Sequence, residues 1–155
     1  MAQLSSSRDD EFPFVYRREI FWGDTDTARI VYTGKFADYM LEAAEAWMRA
    51  YLGADWFTQA TEQGRGGPVV HLDIDFMSPV TPKDLLEVEV RIAHMGETAI
   101  TYHCTGYGND RRLSFRGKFT SVGFDYTSNQ KQPLSQETRK IIEEYQNRCE
   151  AADLA

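Results

Sequence analysis

Cysteine is scarce in this chain: Cys104 and Cys149 are the only two, too few for the disulfide framework that staples small secreted domains. No long apolar run occurs, so neither a signal-like leader nor a membrane span is expected. Positive charge is short as well. Seventeen Lys and Arg stand against 24 Asp and Glu, a net charge of −7, and without a basic block this balance argues against a nucleic-acid backbone as partner. A few local cations would still suffice for a phosphate-bearing small molecule. Histidine is limited to three residues, and none offers a fixed partner for a cysteine or acid–base pair. Internal repeats are missing too. Together these absences predict a cytoplasmic protein.

What is present fits one domain. A length of 155 residues supports a single substantial core, expected over residues 12–150, with the Ser- and Asp-rich stretch 1–11 as a flexible N-terminal tail. The patterning predicts a strand from Phe14 to Trp22, a loop, and a long helix from Gly34 to Tyr51 on which Phe36, Met40, Ala43 or Ala44, Trp47 and Tyr51 recur as one buried face. A short helix follows near Ala54 to Gln63. After the glycines at 64, 66 and 67, a strand alternates Val70, Leu72, Ile74 and Phe76 with His71, Asp73 and Asp75. Three more strands follow, the first with Leu86, Val88, Val90 and Ile92 on one face and the last running through Phe124. A helix from Ser135 to Cys149 carries Ile141, Tyr145 and Cys149 as its stripe. One early helix followed by closely spaced strands fits an α+β fold, a sheet wrapped round a helix, better than alternating βα units.

Chemistry concentrates in Trp22 to Phe36, WGDTDTARIVYTGKF. Asp24 and Asp26 are too close for a helix-face pair, but a curled loop can present one carboxylate to a substrate while the other braces the turn. The first amides of the following helix point back at that loop. Unpaired helix-start N–H groups beside a carboxylate suit hydrolysis of a carbonyl compound. An Asx-rich turn before a capped helix accounts for the same composition.

The segment resembles the loop and helix start of hotdog-fold acyl-CoA thioesterases of the 4-hydroxybenzoyl-CoA thioesterase type, whose pattern is an aromatic residue, often Gly, Asp-x-Asp, small residues, a Val-Tyr or Val-Trp pair and the central helix. The resemblance implies an antiparallel sheet wrapped around a long central helix, here with an additional C-terminal helix. It implies Asp26 as the catalytic carboxylate and the Thr33 backbone amide as the group that polarises the thioester carbonyl. Asp26 would activate water or attack directly to form a mixed anhydride. This chain departs from the pattern common in that family at Thr27 and Arg29, and Thr33 stands where some members carry a histidine. Similarity in element order runs over residues 15 to 125; the specific motif covers the loop alone.

Further implications are an acyl-CoA substrate that brings its own coenzyme A, no other cofactor, and a homodimer or homotetramer with active sites at the shared boundary. The aromatic residues Tyr32, Phe36, Tyr39, Trp47, Tyr51, Trp56 and Phe57 favour an aryl or arylacyl group, although core packing explains most of them. Arg91, Arg111, Arg112, Arg116 and Lys118 are candidates for the phosphates, or ordinary balancing of an acidic surface. Glu42, on a solvated flank with Asp38 and Glu45, is a rival carboxylate. His71, Asp73 and Asp75 read as a polar strand face, and no metal is expected. Cys104 reads as buried. The other functional classes are a noncatalytic acyl-CoA-binding hotdog protein and a hotdog dehydratase.

Overall fold

In the computed structural model, residues 11–155 are described, so the expected tail at 1–11 lies outside the described residues but for Glu11. The chain runs β1 (Phe14–Glu19), α1 (Lys35–Tyr51), α2 (Trp56–Gln63), β2 (Arg65–Gly66), β3 (Val69–Phe76), β4 (Leu85–Met95), β5 (Ala99–Gly108), β6 (Arg112–Val122), β7 (Phe124–Asp125), β8 (Gln130–Lys131) and α3 (Gln136–Asp153). Five strands form one antiparallel sheet in the order β1-β4-β5-β6-β3, and β2, β7 and β8 make a small ribbon beside it. This is the hotdog arrangement, with α1 as its filling.

Strand alternation makes the inner surface. Leu86, Val88, Val90 and Ile92 of β4 are buried, as are Ile100, Tyr102 and Cys104 of β5 and Phe115 and Phe119 of β6. Onto them α1 lays Phe36, Tyr39, Met40, Ala43, Ala44 and Trp47, all buried and spaced to share one helix face. Close approach requires Gly117 on β6, where an added β-carbon would lie 2.6 Å from Met40 Cε and 2.9 Å from the Asp73 carbonyl. Local chemistry sets the shorter helices. Asp55 caps α2 by accepting from the Thr58 amide at 2.8 Å, and Ser135 caps α3 by accepting from the Thr138 amide at 3.1 Å.

Two strand ends and the stripe of one helix differ from expectation in ways the local bonding explains. β1 stops at Glu19 rather than Trp22, because the Asp24 and Thr25 amides turn back to the Phe21 and Trp22 carbonyls in a 3-10 turn. β6 stops at Val122, since Gly123 donates to the Thr98 carbonyl and Phe124 leaves to pair with Gly66 and Lys131. The buried stripe of α3 uses Ile142 with Tyr145 and Cys149, not Ile141; three- and four-residue steps keep these side chains on one face. That stripe covers the part of β4 that outruns β1. Tyr145 Oη accepts from the Phe14 amide at 2.9 Å and donates to the Val90 carbonyl, while Gln146 Nε2 donates to the Ile92 carbonyl at 3.0 Å.

At the opposite margin β3 pairs with β6 alone. Its apolar side shares the α1 face of the sheet, yet Val70, Leu72 and Phe76 are 63%, 44% and 51% exposed.

Candidate active site

The Asp24–Asp26 loop folds back on itself as a short hairpin. A bridge pairs Thr25 with Val31, the Asp26 amide donates to the Ile30 carbonyl at 3.2 Å, and the Tyr32 amide donates to the Asp24 carbonyl at 2.9 Å. Arg29 turns the tip with a left-handed φ of 62°. The Val31 amide, donating to the Val80 carbonyl at 2.8 Å, ties the returning arm to the body.

Within this frame the two carboxylates have opposite surroundings. Asp24 is 4% exposed and accepts from Arg18 Nη1 at 2.8 Å and from the Phe21 amide at 2.9 Å, with Lys35 Nζ 3.8 Å away. Desolvation alone would raise its pKa, but the Phe21 amide, Arg18 and Lys35 outweigh it and hold the carboxyl below the ordinary range. Asp24 is therefore the brace. Asp26 is exposed, and its Oδ1 accepts from the Ala28 amide at 2.8 Å; Oδ2 has no partner among the described residues. The Asx turn and a presented carboxylate thus coexist in one residue: one oxygen fixes the rotamer and the other faces out.

The helix start supplies the electrophilic side. Lys35 donates to the Tyr32 carbonyl at 2.9 Å and Phe36 to the Thr33 carbonyl at 3.4 Å, leaving the Thr33 and Gly34 N–H groups without an acceptor among the described residues. Gly34, the residue before the first turn, offers no side-chain cap. Those amides lie at the positive end of a 17-residue helix. The structure thus places Asp26 and the brace Asp24 in one hydrogen-bonded hairpin, with Thr33 following its returning arm in the chain.

Glu42 is differently occupied. Its Oε2 accepts from Arg18 Nε at 2.9 Å and from Tyr16 Oη at 3.0 Å. Desolvation and the Glu42 charge push the Tyr16 hydroxyl up to about 12. A carboxylate already bonded to a cation and a phenol is a poor base.

Arg18 is the residue that sequence reasoning missed. In the pair Arg17–Arg18, strand alternation must turn one arginine inward. Arg17 pairs with Glu11 and Glu87, whereas Arg18 reaches Asp24 and Glu42 and lies 4.5 Å over the Tyr39 ring. That parity was the available signal.

Other candidates separate cleanly. Arg91 pairs with Asp153, Arg111 with Glu89 and Arg112 with Asp84, while Arg116 and Lys118 are exposed on the outer face of β6 with no ion pair among the described residues. His71 and Asp73 bond each other at 2.8 Å on the outer face of β3, and among the described residues no three His, Cys, Asp or Glu side chains converge as a metal would require. Cys104 is fully buried, and desolvation pushes its thiol up to about 12. Tyr39 and Trp47 are core, while Tyr32 and Phe57 are 55% and 75% exposed.

Comparison with known proteins gives a consistent picture. The family model described as thioesterase-like superfamily matches residues 20–142. A 1,4-dihydroxy-2-naphthoyl-CoA hydrolase of Crocosphaera subtropica is 28% identical over 136 residues, covering 86% of this chain and 98% of that one. Among solved structures, a thioesterase superfamily protein from Jannaschia sp. CCS1 superposes with TM-score 0.81 at 33% identity, over 86% of this chain and 93% of that one. A 1,4-dihydroxy-2-naphthoyl-CoA thioesterase from Synechocystis gives 0.76 at 25% identity, over 83% and 94%.

Proposed function

Since the chain belongs to the thioesterase-like superfamily, we propose that it hydrolyses an acyl-CoA thioester to a free carboxylic acid and coenzyme A, with an aryl or arylacyl group preferred. The observation that carries this reading is the division of labour in the loop. One carboxylate is buried as a brace, and the other is exposed in the loop that leads into helix-start amides lacking acceptors among the described residues. The relatives that act on a bicyclic aryl-CoA support the acyl preference.

In this mechanism the Thr33 N–H binds the thioester oxygen as negative charge develops on it. Asp26 takes a proton from water as it attacks the carbonyl carbon, or attacks that carbon itself; in either route the C–S bond breaks and coenzyme A leaves as the thiolate. The second route leaves a mixed anhydride for water to resolve. Single turnover in oxygen-labelled water separates them, because label entering the Asp26 carboxylate marks direct attack.

The substrate carries the coenzyme A, and no separate cofactor is part of the proposal. Two copies join through the free edge of β3, giving a homodimer as the minimum assembly and a tetramer as its pairing. No helix among the described residues is long and apolar enough to cross a membrane; residence in the cytoplasm belongs to the proposal.

The test is thiol release by the purified protein across benzoyl-, hydroxybenzoyl-, phenylacetyl-, dihydroxynaphthoyl- and aliphatic CoA thioesters. Aryl substrates should give the highest kcat/KM. Faster turnover of long saturated chains overturns the acyl preference, and tight binding without turnover across the panel overturns the enzyme reading in favour of a binding protein.

A further inference from the structure

Arg18 stands where the loop, the first strand and the central helix meet. Its Nη1 holds Asp24 Oδ2 at 2.8 Å, its Nε holds Glu42 Oε2 at 2.9 Å, and its guanidinium lies 4.5 Å over the Tyr39 ring. One planar fork therefore joins a loop residue to a helix residue from a side chain that is 18% exposed. Asp24 passes that restraint to both halves of the site. Its carboxylate takes the Phe21 amide, and its carbonyl takes the Tyr32 amide at 2.9 Å; Asp26 follows Asp24 by two residues, and Thr33 directly follows Tyr32. Glu42 lies on α1, and the Thr33 and Gly34 amides, without acceptors among the described residues, directly precede that helix.

We propose that Arg18 is a positioning residue for thioester hydrolysis, clamping Asp24 to Glu42 so that the Asp26 carboxylate is held in register with the helix-start amide of Thr33. The inference rests on the assignment of Asp26 and Thr33 made above. Arg18 touches no reacting atom; it acts through Asp24. Misplacement of reacting groups by about an ångström is enough to cost large factors in rate, so the clamp bears on turnover more than on substrate affinity.

Arg18→Lys keeps a positive charge but replaces the fork with a single ammonium, which cannot hold both carboxylates in the same geometry. It should lower kcat about tenfold and leave KM within about twofold. Arg17→Lys is the matched control, because Arg17 pairs on the outer face with Glu11 and Glu87, and its kcat should not change. The deciding measurement is the double variant. Because Arg18 works by placing Asp26, Arg18→Lys should add no further loss to the residual rate of Asp26→Asn. A wild-type kcat in Arg18→Lys, a loss confined to KM, or the same tenfold factor reappearing in the Asp26→Asn background overturns the proposal. If Arg18→Lys loses its near-ultraviolet circular dichroism, Glu42→Gln opens the same clamp from the helix side and carries the same test. The Asp26 assignment is judged separately, by Asp26→Asn alone.

Discussion

Asp24 and Asp26 are two residues apart and chemically identical, yet the fold gives them different work. Asp26→Asn preserves the Asx turn, since the amide oxygen still accepts from Ala28, but removes the anion. The expected result is a loss of about tenfold to a hundredfold in kcat/KM with an unchanged melting temperature; wild-type turnover in a folded Asp26→Asn protein would sink the assignment. Asp24→Asn should show the reverse balance, losing about 1–3 kcal/mol of stability and less of its turnover than Asp26→Asn does. Its pH behaviour follows from the lowered carboxyl pKa. A carboxylate depressed in the folded state adds stability above its unfolded pKa of about 4 and loses it as pH falls through the folded value. The stability gap between wild type and Asp24→Asn should therefore be full at neutral pH and close only as the solution becomes strongly acidic; a gap that does not narrow in acid contradicts the linkage. Asp26 and Thr33 could be proposed from the sequence because their spacing sits in a motif. Arg18 was not, because an inward arginine looks the same in sequence as its outward neighbour until the strand's parity is fixed by the body it packs against.

Among the elements, β4, β5 and α1 were readable because their apolar positions keep strict periods of two or of three to four. Their boundaries were less so: whether β1 continues to Trp22 depends on Asp24 capturing the Phe21 amide, a contact held by Arg18 of the same strand. The stripe of α3 was displaced by one residue for a similar reason, since Ile141 and Ile142 are equivalent in composition and only the position of Tyr145 against β4 chooses between them. That tyrosine makes a direct prediction. Its hydroxyl accepts from Phe14 and donates to Val90, both buried, so Tyr145→Phe strands a donor and an acceptor together. A loss of about 1–3 kcal/mol in urea unfolding is expected, with faster amide exchange in the first residues of β1. An unchanged midpoint would mean that α3 is not what secures this end of the sheet. Gly117→Ala tests the packing of α1 on the sheet, because its β-carbon must displace Met40; a cost of about 1–3 kcal/mol is expected, and a neutral result would show that α1 can slide.

For the whole molecule, the decisive feature is that the two edge strands differ in how well their apolar side chains are covered. At β1, Phe14 and Val15 are buried, and Tyr145 of α3 accepts from the Phe14 amide. At β3 the alternation of Val70, Leu72, Ile74 and Phe76 was plain in the sequence as one apolar face, but a single chain does not supply enough helix to cover it, and Leu72 and Phe76 remain about half exposed. An unpaired strand edge bordered by exposed apolar side chains is a pairing surface, and a second copy related by a two-fold axis would pair the strands and cover these side chains at once. Leu72→Lys tests this with little harm to the isolated subunit, because at 44% exposure the ammonium can reach water. Placed across from its own symmetry mate or near it, the added charge should weaken self-association about tenfold or more, and light scattering after size exclusion should show wild type as a dimer or tetramer and Leu72→Lys shifted toward the monomer. If active sites are completed at that boundary, thioester turnover should fall in parallel and recover as protein concentration is raised. A wild type that stays monomeric at micromolar concentration would refute the pairing, and a monomeric Leu72→Lys with full turnover would show that each copy carries a complete site of its own.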